Sequence, residues 1–245
     1  MTWSWVTAYS RAPTRLESPD TPRPPASFIQ PHQKDNPMST RLPTGIDVLD
    51  NRLGGGVPAG SIVALSAPPA SQAELLLAEF VVPRETLYLT FERPAAVVSA
   101  NIERTNVDTG EPTIQAVDSD EPIDEALTVL DDLPERSTVV VDSHSAIERA
   151  ERPAFLEFMA GLRRRLDNTG SLAVLHCLDG RDVSPLRDST EHLADVIFRL
   201  TTDTTGATVE NRLAVPKFRG GRALTETLKL TLTDRVAVDT SRDIA

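Results

Sequence analysis

The sequence predicts an α/β protein: a three-layer, mainly parallel sheet with antiparallel strands added at the C-terminal end. Three observations carry that prediction. From Gly60 onward, short apolar runs alternate with helical patterns, the mark of βαβ units with right-handed crossovers. The stretches at 61–66, 137–147 and 171–177 each hold an unbroken apolar run, Ile62–Leu65, Val139–Val141 and Leu172–Leu175, as strands covered on both faces must. After Asp195 the pattern changes to strict alternation, as in antiparallel strands with one wetter face.

The 245 residues, 40% of them hydrophobic, suffice for one substantial core. No apolar run approaches the ~18 residues of a membrane span. Cys177 is the single cysteine, which excludes an intramolecular disulfide, and no signal peptide is visible at Met1, so a cytoplasmic protein is the expectation. The net charge of −11 opposes a sequence-independent grip on nucleic acid, which needs basic side chains against phosphates. Lysine occurs only at Lys34, Lys217 and Lys229. This acidic, lysine-poor composition is that of proteins from salt-loving archaea, and a GC-rich genome gives it equally.

Residues 1–37 carry prolines at 13, 19, 22, 24, 25, 31 and 37 with little apolar periodicity. They cannot bury enough surface to offset the entropy of ordering and read as a disordered tail, with residues 38–245 as one domain. Met38 is a candidate for the true start, since the ordered pattern begins just after it.

Along the domain, Thr44 can cap a short helix with Ile46, Leu49 and Leu53 on its apolar face, ended by Gly54–Gly56. A buried strand at 61–66, a tight loop and an apolar helix follow, the frame of a phosphate-binding loop. The helix has room for about three turns before the strand at 86–91. A helix at 94–104, a strand at 113–117 and a helix at 121–133 come next, with Asp118–Asp120 and Asp131–Asp132 as solvated surface. The run 137–147 ends its apolar stretch at Asp142. The helix at 151–168 presents Phe155, Met159, Leu162 and Leu166 on one face, with Arg163–Arg165 as a solvated helix end. His176, at the edge of the strand at 171–177, reads as a satisfied near-core histidine. His144, His176, Cys177 and His192 lack the close-set spacing of zinc motifs, and no metal site is expected.

The stretch P-T-G-I-D-V-L-D-N-R-L-G-G-G-V-P-A-G-S (43–61) resembles the entry motif of the KaiC and RecA-like ATPase family, and the resemblance extends from about Arg41 to the C-terminus. In that family the motif leads into the first strand and the phosphate loop. Here the loop positions hold Ala67, Pro68, Pro69, Ala70, Ser71, Gln72, Ala73 and Glu74. Ala67, Ala70 and Gln72 stand where the family has glycines, Ala73 where it has the phosphate-binding lysine, and Glu74 where it has the magnesium-binding hydroxyl. The strand T-L-Y-L-T-F-E-R is similar to the family's second, which ends in two glutamates that orient the attacking water; Glu92 takes the first place and Arg93 the second. Asp142 matches the acid of the Walker B motif. L-A-V-P-K-F-R-G resembles the segment whose lysine and arginine reach the phosphate of a neighbouring subunit's nucleotide, here Lys217 and Arg219.

At about 4 Å and an effective dielectric near 20, two unit charges interact by ~4 kcal/mol, so losing a lysine and gaining a carboxylate heavily penalises a polyphosphate. Ser71 and Glu74 form S-x-x-E, a capping box that would satisfy the helix's own N–H groups. The resemblance and the altered loop together imply a non-hydrolysing regulatory or assembly protein, with no cofactor expected. Its partners would be further copies of itself or a KaiC/RecA-like relative with an intact loop. The alternatives are a weak ATPase using ATP, magnesium, Asp142 and Glu92, and a DNA- or transcription-linked module by fold analogy.

Overall fold

Strands that are apolar throughout need neighbours on both edges and a cover on both faces, and the fold supplies both. The computed structural model describes residues 40–239, apart from 106, 109, 118 and 119. The readings of residues 1–37, Met38 and Asp118 lie outside the described residues.

The chain runs β1 (Arg41–Leu42), α1 (Asp47–Arg52), β2 (Val57–Pro58), β3 (Ile62–Ala67), α2 (Ala73–Val81), β4 (Thr86–Thr90), α3 (Ala95–Glu103) and β5 (Thr113–Ala116). It continues through α4 (Pro122–Val129), β6 (Thr138–Asp142), α5 (Ser145–Glu148), α6 (Arg152–Thr169), β7 (Leu172–Leu178) and α7 (Arg187–Leu193). Four strands close it: β8 (Val196–Thr205), β9 (Thr208–Phe218), β10 (Leu228–Leu232) and β11 (Val236–Asp239). Among the described residues one sheet has nine strands in the order β11-β10-β9-β8-β3-β7-β6-β4-β5. From β8 to β5 every pairing is parallel, and from β8 to β11 every pairing is antiparallel, so the predicted architecture stands.

Successive residues of the central strands feed two cores. Leu65, Tyr88, Val140 and Val174 face Leu76, Leu77, Phe80 and Val98 on one side. Ala64, Leu89, Val141 and Leu175 face Phe155, Phe158, Leu162 and Leu166 on the other. Nearly all of α2 is buried, since its outer side is covered as well: the Val236 N–H of β11 donates to Glu79 Oε1 at 3.1 Å. Burying a leucine or phenylalanine contributes about 1.5–3 kcal/mol, and both layers rest on such residues.

Several local expectations are corrected. The helix assigned to Thr44 begins at Asp47, with Ile46 at the N-cap and no side-chain cap bond there. Thr44 Oγ1 instead accepts from the Ile46 N–H at 3.2 Å, and the Thr44 N–H donates to Asp50 Oδ1 at 2.8 Å. Gly45, at φ +92°, turns the chain between them, and a Cβ there would lie 2.1 Å from the Glu79 carbonyl oxygen. The helix at 121–133 tightens after Val129 into a 3₁₀ turn, Leu130–Asp132. Arg163 and Arg165 are not a solvated end. Arg163 donates to Gly60 O at 2.7 Å and pairs with Asp195 at 2.6 Å, while Arg165 donates to Leu127 O at 2.8 Å and pairs with Asp131. Helix α7 and strand β11 are additional to the sequence reading. Among the described residues no helix is long and apolar enough to cross a membrane.

Candidate functional site

In an open parallel sheet the loops at the carboxyl ends of the strands converge where the strand order reverses. Here that place is the end of β3, β7, β6 and β4. Parallel register sets the cluster: Thr90 lies opposite Asp142, and Leu175 lies opposite Val141. Tyr88, Asp142 and His176 therefore share one face at adjoining levels.

Asp142 is 3% exposed and its carboxylate is fully engaged. The Tyr88 hydroxyl donates to Oδ2 at 2.7 Å, His176 Nδ1 donates to Oδ1 at 2.7 Å, and the Arg93 guanidinium donates to Oδ2 as well. Burial pushes the Asp142 carboxyl up, but the His176, Tyr88 and Arg93 contacts outweigh it and hold the group well below the usual carboxylate range. Burial and the adjacent carboxylate raise the Tyr88 phenol well above its ordinary value. Only half of the expected satisfied near-core histidine is present at His176: its Nδ1 is paired, while its buried Nε2 has no hydrogen-bond partner among the described residues.

Arg93 reaches this cluster because the chain turns sharply after β4. Its carbonyl accepts from Thr90 Oγ1 at 2.8 Å, and Pro94 follows at the head of α3. The guanidinium also pairs with Glu74 Oε1 at 3.4 Å and lies 3.4 Å from the Tyr88 hydroxyl. One cation thus spans the first turn of α2 and the end of β6.

The segment Pro68–Gln72 between β3 and α2 is closed on itself. The Ser71 N–H donates to Pro68 O at 3.0 Å, and the Ser71 hydroxyl donates to the same oxygen at 2.6 Å. Pro68 and Pro69 have no N–H to offer. The Asp179 N–H donates to Ala67 O at 2.8 Å, and Gly180 lies against the Pro69 ring, where a Cβ would be 3.0 Å away. The capping box is absent: Gln72 is the N-cap of α2, no side chain caps it, and Glu74 faces Arg93. The Ser71 hydroxyl donates to Pro68 O and accepts no cap bond from the first turn of α2. Of the loop positions, Ala67 and Ala73 are buried, whereas Pro69, Ala70, Gln72 and Glu74 are exposed.

The remaining candidates lie apart from this cluster in their contacts. Glu92 is exposed and pairs with Arg149 at 3.6 Å. Lys217 Nζ donates to Glu191 O at 2.6 Å and His192 O at 3.0 Å, and Arg219 donates to His192 O at 3.0 Å. Both cations thus cover the carbonyl end of α7 in their own chain, where they complement its dipole. Burial, followed by the neighbouring Arg219, lowers the Lys217 ammonium from its ordinary value. Among the described residues no cluster of three or more His, Cys, Asp or Glu is placed to hold a metal. Sequence reasoning missed the joint role of Tyr88, Arg93 and His176. The period-two spacing that puts Tyr88 and Thr90 on one strand face was the available signal.

A family model described as "Family of unknown function (DUF7125)" matches residues 41–245. The chain is 29% identical to the DNA repair protein RadA of Mycolicibacterium smegmatis, over 78% of its own length and 43% of that protein's. It is also 29% identical to the RadA of Mycobacterium tuberculosis, over 75% of its length and 41% of that protein's. The chain therefore spans about two fifths of the curated relatives it matches. The crystal structure of a KaiC-like protein from the hyperthermophilic archaeon Pyrococcus horikoshii superposes with a TM-score of 0.66 at 17% identity, covering 82% of this chain and 99% of that one. The chain therefore has the RecA-like α/β fold of that KaiC-like protein.

Proposed function

The chain belongs to DUF7125, and from that starting point we propose that it is a non-hydrolysing regulatory or assembly protein of KaiC/RecA-like fold that has given up its phosphate-binding loop. The observation that carries this reading is the state of Asp142, whose two oxygens are taken by Tyr88, His176 and Arg93. A hydrated magnesium ion needs such a carboxylate free. The loop argues the same way: a phosphate needs convergent N–H donors and a cation, and this loop supplies two prolines, a Ser71 N–H already bonded, Ala73 and the Glu74 carboxylate. These residues do not fit a magnesium–nucleotide complex in the family's usual pose.

What remains is a rigid sheet with helices on both faces, suited to docking against another copy or an intact-loop relative. The curated relatives are named for DNA repair, and a net charge of −11 directs any such link through a protein partner rather than through phosphate contacts.

Calorimetric titration of the purified chain with ATP and magnesium tests the reading. The expected result is no saturable heat up to ~1 mM nucleotide, a ligand concentration that at an equal Kd would add only ~0.4 kcal/mol of stability. Micromolar binding would overturn it in favour of a weak ATPase. Co-purification from native extract should then recover further copies of the chain or an intact-loop relative.

A further inference from the structure

We propose that Arg93 is a resident counter-cation: it performs permanently, from within the chain, the charge compensation that a divalent ion would perform beside Asp142. This deepens the reading above and rests on it. Three observations converge. The guanidinium touches both carboxylates that flank the strand ends, Asp142 and Glu74, so one positive group serves two negative ones. Asp142 is buried while Glu74 is exposed, so one acid requires a cation and the other can re-aim toward whichever cation is present. The buried His176 Nε2, on the ring bonded to Asp142, has no protein partner among the described residues, so the cluster retains polar capacity that its own side chains do not use.

The anchor differs from an exchangeable ion in being tethered to the chain. The Thr90 hydroxyl holds the Arg93 carbonyl, and Pro94 restricts the residue before it to extended conformations, so the guanidinium is delivered to the same place without diffusion. A planar fork can bond two acids at once, which a lysine ammonium does with less geometric definition. A divalent cation must therefore displace the guanidinium to reach Asp142, which weakens its binding. Deleting the guanidinium while keeping the apolar stem removes one of the two donors on Asp142 Oδ2 and frees Glu74; the Tyr88 and His176 bonds stay, one to each oxygen, and the lone pairs they leave should, with Glu74 and water, offer a divalent cation its oxygen donors.

The test is titration of Mn²⁺ into the wild-type chain, Arg93→Met and Arg93→Met/Glu74→Gln, followed by the electron paramagnetic resonance of free Mn²⁺ and by thermal unfolding. Arg93→Met should bind Mn²⁺ at least about 100-fold more tightly than the wild type, and its unfolding temperature should rise with Mn²⁺. The double variant should lose most of that gain. A folded Arg93→Met that binds Mn²⁺ no more tightly than the wild type would overturn the proposal. Should Arg93→Met fail to fold without metal, Mn²⁺ should restore its folded circular dichroism signal, and a chain that stays unfolded with Mn²⁺ present would overturn the proposal too. No nucleotide enters this experiment, so its failure and that of the nucleotide titration are read separately.

Discussion

His144 shows how far a side chain's surroundings outrun its place in the sequence. It follows Asp142 by two residues, where a loop histidine would meet solvent, yet it is fully buried beside the rings of Phe155 and Phe158, and among the described residues neither ring nitrogen has a hydrogen-bond partner. Burial, assisted by the Arg187 charge, lowers its pKa from 6.5 to about 3. The unfolded chain takes up a proton as pH falls through 6.5, whereas the folded chain does so only near 3. Stability is therefore lost as pH falls through that window, by at most ~1.4 kcal/mol per pH unit from this group. Urea denaturation at several pH values between 6.5 and 4.5 should show this slope, and His144→Leu should flatten it; an unchanged slope would sink the assignment. Asp142 acts at lower pH in the same direction. Its carboxyl is held below the usual range in the folded chain, so its contribution is present above the unfolded value of 3.8 and is lost as pH falls through the folded value.

Short elements here are completed by residues far away in the chain. Helix α7 has seven residues, too few to be stable by itself, and its last carbonyls are met by Lys217 and Arg219 from the end of β9 and beyond. Replacing Lys217 by Met should cost roughly 0.3–1 kcal/mol, the worth of a cation at a helix C-terminus, read as a lower urea midpoint at unchanged slope. No change in midpoint would mean that the contact is incidental. Helix α2 carries the opposite lesson. The S-x-x-E pattern is correctly present, but two prolines turn the chain so that Ser71 bonds Pro68 O, and Arg93 holds Glu74. A local motif describes what neighbouring residues can do, and a distant partner, here Arg93 for Glu74, can take one of its groups.

The molecule as a whole carries a net charge of −11. Self-repulsion of that charge is screened by salt, while the buried Arg93–Asp142 pair is screened far less. The unfolding temperature should therefore rise as KCl is raised from ~0.05 M to ~1 M, and a monotonic fall over that range would contradict the reading. The sequence alone determined the layered α/β class, the position of nearly every central strand and the face of α6, because hydrophobic period and chain direction are written locally in residues such as Phe155, Met159, Leu162 and Leu166. It also marked the frame from β3 to α2, since two apolar runs separated by a short stretch of prolines and small residues announce a strand, a turn and a helix. Only the tertiary structure decided what occupies the strand ends. Tyr88, Arg93, Asp142 and His176 come from three strands and a turn, and which donor takes which carboxylate oxygen depends on sheet order and register, quantities that no local stretch of chain contains.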